Sequence, residues 1–228
     1  AGMQCCMIMA VCTLLLAGCA SVGVRQVSFD QRIPEPERRA LNVQKPGAAA
    51  QTVLNANGLA QTWARDPATV LRNLDDVYYT THDRQVLYAL AELSFLQARA
   101  ASATPDEPQL LLSCVVYSYQ FLTGLPAAQP GLPIESAAGN AIAFYNYALG
   151  RYLLLASKAD ARYRSGLRMR MLQGNVVIDK RNYELLWQPG QIHEYKVAYA
   201  YEAEGMEVYQ VRRGLGVPLI VIRRPPAK

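Results

Sequence analysis

The sequence predicts an α+β chain: an amino-terminal antiparallel helical bundle of repeat-like helix pairs, followed by a small, mainly antiparallel β-sheet. Three observations lead there. From Leu59 to Leu122 no glycine occurs, and apolar residues recur at three and four, the spacing of a helix with one buried stripe. After Ala156 the period falls to two, in short runs rich in β-branched and aromatic residues with glycines between them. Apolar residues make up 51% of the 228 and charged residues 18%, a balance that favours a packed core over a disordered chain.

Each helix carries its own start signal. Asp66-Pro67 reads as an N-cap followed by proline at the first helical position, where the missing N–H costs nothing. Val70, Leu71, Leu74, Val77 and Tyr78 then form one stripe. A second helix begins near Thr81 to Asp83 and runs to about Ala101. Its apolar residues, Val86 to Leu96, almost encircle it, which marks a central, buried helix. Pro105-Asp106-Glu107-Pro108 opens a third, with Leu112, Val115, Tyr119 and Leu122 on one face. "GLPAAQPGLP" (124–133) is a loop. A fourth helix repeats Ala138, Ala141, Ile142, Tyr145, Leu149, Tyr152 and Leu153 at three and four. No 34-residue self-similarity accompanies these helices, so they read as repeat-like rather than as a repeat. Downstream, "NVVID", "YELLW", "EYKVAYAYEA", "MEVYQV" and "VPLIVIR" are the strand candidates, with Gly174, Pro189-Gly190 and Gly205 as turn residues between them.

The start of the chain addresses location. No charge occurs before Arg25, and from Cys5 to Gly18 only Thr13 is polar. That length suits the apolar core of a signal peptide, whereas a spanning helix wants about 20 apolar residues. Leu16-Ala17-Gly18-Cys19 has the form of a bacterial lipobox: a branched apolar residue, two small residues and a cysteine whose sulfur takes a diacylglycerol. Cleavage before Cys19 would make it the mature amino terminus. Ala20 is not the aspartate that retains lipoproteins at the inner membrane, so an outer-membrane address facing the periplasm is expected. The alternative is an uncleaved anchor helix, and the run lacks the Lys or Arg of a standard n-region.

These signals divide the chain into a signal peptide (1–18), a lipidated cysteine with an extended tether (19–58), a helical domain (59–160), and a basic connector with a small β-sheet region (161–228). The tether reading rests on Pro34, Pro36 and Pro46 among charges, without a sustained period. Cys114 is then the one thiol left besides Cys19 and reads as a small core residue. No Cys/His set has metal-ligand spacing, and no cofactor is expected. The net charge of +5 permits contact with an anionic surface without calling for nucleic acid.

Few residues suggest chemistry. "GLGVPL" (214–219) lacks the third glycine and the following helix of a dinucleotide fingerprint, and reads as a tight turn into a last strand. Arg162, Arg164, Arg168 and Arg170 form either a solvated face or a contact with lipid headgroups, each worth about 1 kcal/mol near an anionic surface. Asp75, Asp76 and Glu92 read as solvated carboxylates on helix surfaces. Fourteen tyrosines against four phenylalanines suit helix packing at the edge of water, or a surface for a protein partner. No G-x-S-x-G occurs, and no His-Gly pair is present for an oxyanion loop.

The segments "LYALAELSFLQARAA", "LLSCVVYSYQFL", "AFYNYALGRYL", "YELLWQPGQIHEYKVAYAYEAEGM" and "VRRGLGVPLIVIRR", in this order behind a lipobox, resemble the amino-terminal region of exported bacterial lipoproteins that continue into an α/β-hydrolase-like domain. The resemblance covers about residues 60–224. It implies a helical-plus-sheet accessory module of the cell envelope. The family's hydrolytic residues lie beyond this region, so none maps onto this sequence. Three readings follow: a lipid-anchored, non-catalytic interaction module; the amino-terminal part of an esterase- or lipase-like hydrolase; or a structural subunit of an envelope assembly.

Overall fold

The computed structural model describes residues 24–124, 134–158, 167–170, 174–178, 192–203 and 214–223. Its helices are α1 (Glu35–Leu41), α2 (Ala48–Ala56), α3 (Ala60–Arg65), α4 (Pro67–Thr81), α5 (Arg84–Ala100), α6 (Glu107–Thr123) and α7 (Ile134–Lys158). The strands are β1 (Val24–Gln26), β2 (Leu167–Arg170), β3 (Asn175–Ile178), β4 (Ile192–Val197), β5 (Tyr201–Ala203) and β6 (Leu219–Arg223), with 3₁₀ turns at Phe29–Arg32 and Ala198–Ala200. This is the α+β arrangement the sequence predicts, a helical region followed by small antiparallel sheets.

The helix punctuation acts as expected. The Asp66 carboxylate accepts the Thr69 N–H at 3.0 Å, and Pro67 opens α4. His82, at φ 51°, ends α4 in the left-handed region, and Asp83 caps α5 by accepting the Gln85 N–H at 2.8 Å. Every residue of α5 from Val86 to Leu96 is buried. Around it pack α2, α4, α6 and α7. Arg84 and Tyr88, early in α5, meet Phe121, late in α6. Glu107, at the start of α6, meets Arg151, and Cys114 meets Phe144 of α7. The order α5–α6–α7 therefore runs up, down and up. Phe95 stacks on Phe144 with ring centroids 4.9 Å apart, and Tyr147 meets Phe95 edge-on at 5.4 Å. Such ring pairs add about 0.5–1.5 kcal/mol each beyond the area they bury.

The region 24–58 corrects the expectation of an extended tether. Phe29, Ile33, Leu41, Ala50, Val53 and Leu54 are all buried in the common core. Pro34 precedes α1 and Pro36 lies in its first turn, while Pro46-Gly47 precedes α2, so these prolines start helices instead of extending the chain. Helices of 7 and 9 residues are too short to stand alone in water, and tertiary bonds hold them. The Arg99 guanidinium donates to the carbonyls of Leu41 (2.7 Å) and Val43 (3.3 Å) at the end of α1. At the start of α2, the Gly47 N–H donates to Glu92.

The strands form three two-stranded antiparallel ladders among the described residues: β1–β5, β2–β3 and β4–β6. The first pairs the start of the described residues with β5, Val24 lying opposite Ala203 and Gln26 opposite Tyr201. The runs "YELLW" and "MEVYQV" lie outside the described residues. Gly150 lets Phe29 and Val217 approach α7 closely: a Cβ there would fall 2.7 Å from the Phe29 ring and 3.4 Å from Val217.

Candidate functional site

A polar cleft sits where α5, α6 and α7 meet the Phe29–Arg32 turn. The α6 start signal places Glu107 there, 2% exposed. Its carboxylate accepts the Ala103 N–H at 2.7 Å, the Arg151 Nε–H at 2.7 Å and the Arg151 Nη2–H at 3.4 Å. Arg151 also donates to the Ser102 hydroxyl at 3.4 Å, and its bond to Glu107 holds the guanidinium firmly charged. Tyr147 stands one helical turn before Arg151. Burial, with the Asp30 carboxylate nearby, pushes its hydroxyl up to about 12. Asp30, Arg99, Ser102, Glu107, Leu111 and Tyr147 line a cavity of about 220 Å³. Small-molecule sites run to about 300–1,000 Å³. Glu107 already has three donated bonds, Arg151 is fixed by its partner and Tyr147 keeps its proton. The cleft reads as a brace across three helices.

Glu92, Asp75 and Asn146 are braces too. Glu92 is 3% exposed, which corrects its reading as a solvated surface carboxylate. Burial raises its pKa, and the Gly47 N–H pulls partly the other way. A Cβ at Gly47 would lie 3.0 Å from the Glu92 carboxylate, so glycine gives the close approach this bond needs. Asp75 accepts the Tyr117 hydroxyl at 2.7 Å and ties α4 to α6, whereas Asp76 is exposed as expected. Asn146, 3% exposed, binds the glycine turn from both sides. Its Nδ2–H donates to the Gly214 carbonyl at 3.0 Å, and its Oδ1 accepts the Gly216 N–H at 2.8 Å. Gly216 has φ +127°, a conformation open to glycine, so "GLG" is the tight turn into β6 that the sequence predicts. A polar residue set among Phe144, Tyr145 and Tyr147 was the available signal for Asn146, as Glu92 was inside an encircled helix. Nothing local in the sequence marked Arg151 as the partner of Glu107.

Cys114 is fully buried, with its thiol pushed up to about 12 by that burial, and its Sγ lies 3.7 Å from the Phe144 carbonyl. It is a core thiol. Leu16, Ala17, Gly18 and Cys19 lie outside the described residues, as do Arg162 and Arg164. Arg168 and Arg170 occupy β2, opposite Val177 and Asn175. On the helices, Tyr79 is 82% and Tyr119 50% exposed, the latter beside Tyr145 at 6.2 Å between rings. Among the described residues no helix is long and apolar enough to cross a membrane, and no three of His, Cys, Asp and Glu gather as metal ligands would. Compared with protein-family models, curated proteins and solved structures, the chain matches none.

Proposed function

We propose that this chain is a lipid-anchored lipoprotein of the bacterial cell envelope whose folded body is a non-catalytic interaction module. The stretch Leu16-Ala17-Gly18-Cys19 behind an uncharged apolar run carries the reading. The body supports it in two ways. The carboxylates of Asp75, Glu92 and Glu107 are engaged in holding helices together, and the exposed tyrosines, Tyr79 and Tyr119, offer rings with polar tips to a protein partner. Mass measurement of the membrane-extracted protein tests the anchor. Acylated Cys19 with residues 1–18 removed is the expected result, and an unmodified, intact amino terminus overturns the proposal.

The resemblance of residues 60–224 to lipoproteins that continue into an α/β-hydrolase-like domain favours a second reading, in which this module covers or positions such a domain. Reading frame beyond Lys228 that carries G-x-S-x-G would support it. Turnover of short acyl esters by the chain alone would overturn the non-catalytic assignment.

A further inference from the structure

The geometry points to a fixed orientation on the bilayer: we propose that the rim formed by Leu215, Leu219 and Ile220 lies against the lipid surface that holds Cys19, an inference that rests on the lipoprotein reading above.

The leash is short. Four residues lie between Cys19 and Val24, five Cα–Cα steps in all, and at Val24 β1 is already paired with β5. Fully extended, they reach at most about 17 Å. A body of some 200 residues has a radius of gyration of about 16 Å, hence a diameter of about 40 Å. A leash under half that diameter keeps the β1 end of the body next to the headgroups and the far end away from them.

The apolar rim is at this end. Both β1 and β6 hang from the same three-residue turn. The Val27 N–H donates to the Ala200 carbonyl at 2.9 Å, and the Ala198 N–H donates to the Pro218 carbonyl at 2.8 Å. Leu219 lies opposite Val197, so it sits roughly 15–20 Å from Val24 by turn and strand geometry. Leu215 and Leu219 are each 45% exposed and Ile220 is 37% exposed, three of the six large apolar residues exposed among those described. Successive strand residues point to opposite faces, so exposure of both Leu219 and Ile220 means that the strand's end, not one sheet face, is open. An apolar end suits shallow insertion at headgroup level. The charges nearby agree. Glu202 is bound by both Arg25 and Arg32, so the carboxylate of β5 comes to this end with its charge already met.

The test uses the full chain, purified from bacterial membranes, checked by mass at Cys19, and placed in vesicles containing brominated phosphatidylcholine. Trp63 and Trp187 are replaced by phenylalanine, and single tryptophans are introduced as Ile220→Trp, Leu215→Trp and, as a reference, Tyr79→Trp. Bromine should reduce emission at 220 and 215 about twofold or more, and at 79 little, because bromine quenches only rings at acyl depth. Circular dichroism confirms folding, and two rim positions guard against one variant failing to fold. Acylated protein quenched no more at 215 and 220 than at 79 overturns the orientation and leaves the lipoprotein reading standing. An unmodified Cys19 overturns both.

Discussion

Replacing Asn146 by alanine should loosen the carboxy-terminal strand from the helical body. The side-chain amide makes two backbone bonds to the Gly214–Gly216 turn, at 3.0 and 2.8 Å, from a position 3% exposed. Each bond contributes about 1 kcal/mol net, so their loss removes about 2 kcal/mol. Against this, alanine is the better helix former by about 0.5 kcal/mol. The balance is a loss of about 1.5 kcal/mol, since the hydrogen-bond term is the larger. Asn146→Asp separates the two bonds. It keeps the acceptor for Gly216 but loses the donor to Gly214, and it buries a carboxylate 3.5 Å from the Glu37 oxygen that Asn146 approaches. Two like charges at that separation make aspartate the worse substitution, by a further 1 kcal/mol or about that. Urea unfolding followed by helical circular dichroism measures both, and hydrogen exchange of the β6 amides reports whether the loss is local. An alanine variant as stable as the wild type, or an aspartate variant better than the alanine one, would refute the reasoning.

Three other substitutions test the remaining joints. Gly150→Ala should destabilise by about 1–2 kcal/mol in thermal or urea unfolding, because the added methyl would overlap the buried Phe29 ring at 2.7 Å and that overpacking outweighs the gain in helix propensity of about 1 kcal/mol. Ala103→Gly should stabilise by roughly 0.5–1 kcal/mol in the same assay: Ala103 sits at φ 66°, where a Cβ costs about 1–2 kcal/mol, and part of the gain is returned as unfolded-chain entropy. Glu92→Gln should raise stability near pH 7 and little at pH 4. Burial lifts the folded-state pKa of Glu92 above its ordinary 4.5, so the fold favours the protonated form, and wild-type stability falls as pH rises from that value through the folded one. Glutamine stays neutral and still accepts the Gly47 N–H, so the urea midpoint of the variant should lack this decline; an unchanged decline removes the assignment.

The long helices were legible because each carries several independent signals that agree. Asp66-Pro67 caps α4, Asp83 caps α5, and the apolar circumference of α5 announces burial from Val86 to Leu96. The first 35 described residues were not legible as core. Phe29, Ile33, Leu41 and Leu54 follow no single period, since two short helices and a 3₁₀ turn change direction before any stripe repeats. Their positions depend on distant donors and acceptors, Arg99 to Leu41 and Gly47 to Glu92, which no local window contains. The braced cleft was half legible. Pro105 to Pro108 marked the helix that brings Glu107 into place, but its pairing with Arg151 spans 44 residues of sequence and arises only from the crossing of α6 and α7.

Moving residues 24–58 from tether to core changes what the proposed anchor does. A forty-residue leash would let the body turn freely above a membrane, and any weak surface preference would be diluted over all orientations. Four residues between Cys19 and Val24 leave little to dilute. At 37–45% exposure, Leu215, Leu219 and Ile220 each have about 1 kcal/mol of apolar transfer still available, together about 3 kcal/mol. Free association of a protein with a surface costs at least about 4 kcal/mol in lost motion, so this rim could not hold an unlipidated body. Once acyl chains have met that cost, the same 3 kcal/mol is worth more than a hundredfold preference for one orientation. On these magnitudes the lipid anchors and the rim orients, and Tyr79 and Tyr119 would be left on helices free to meet a partner.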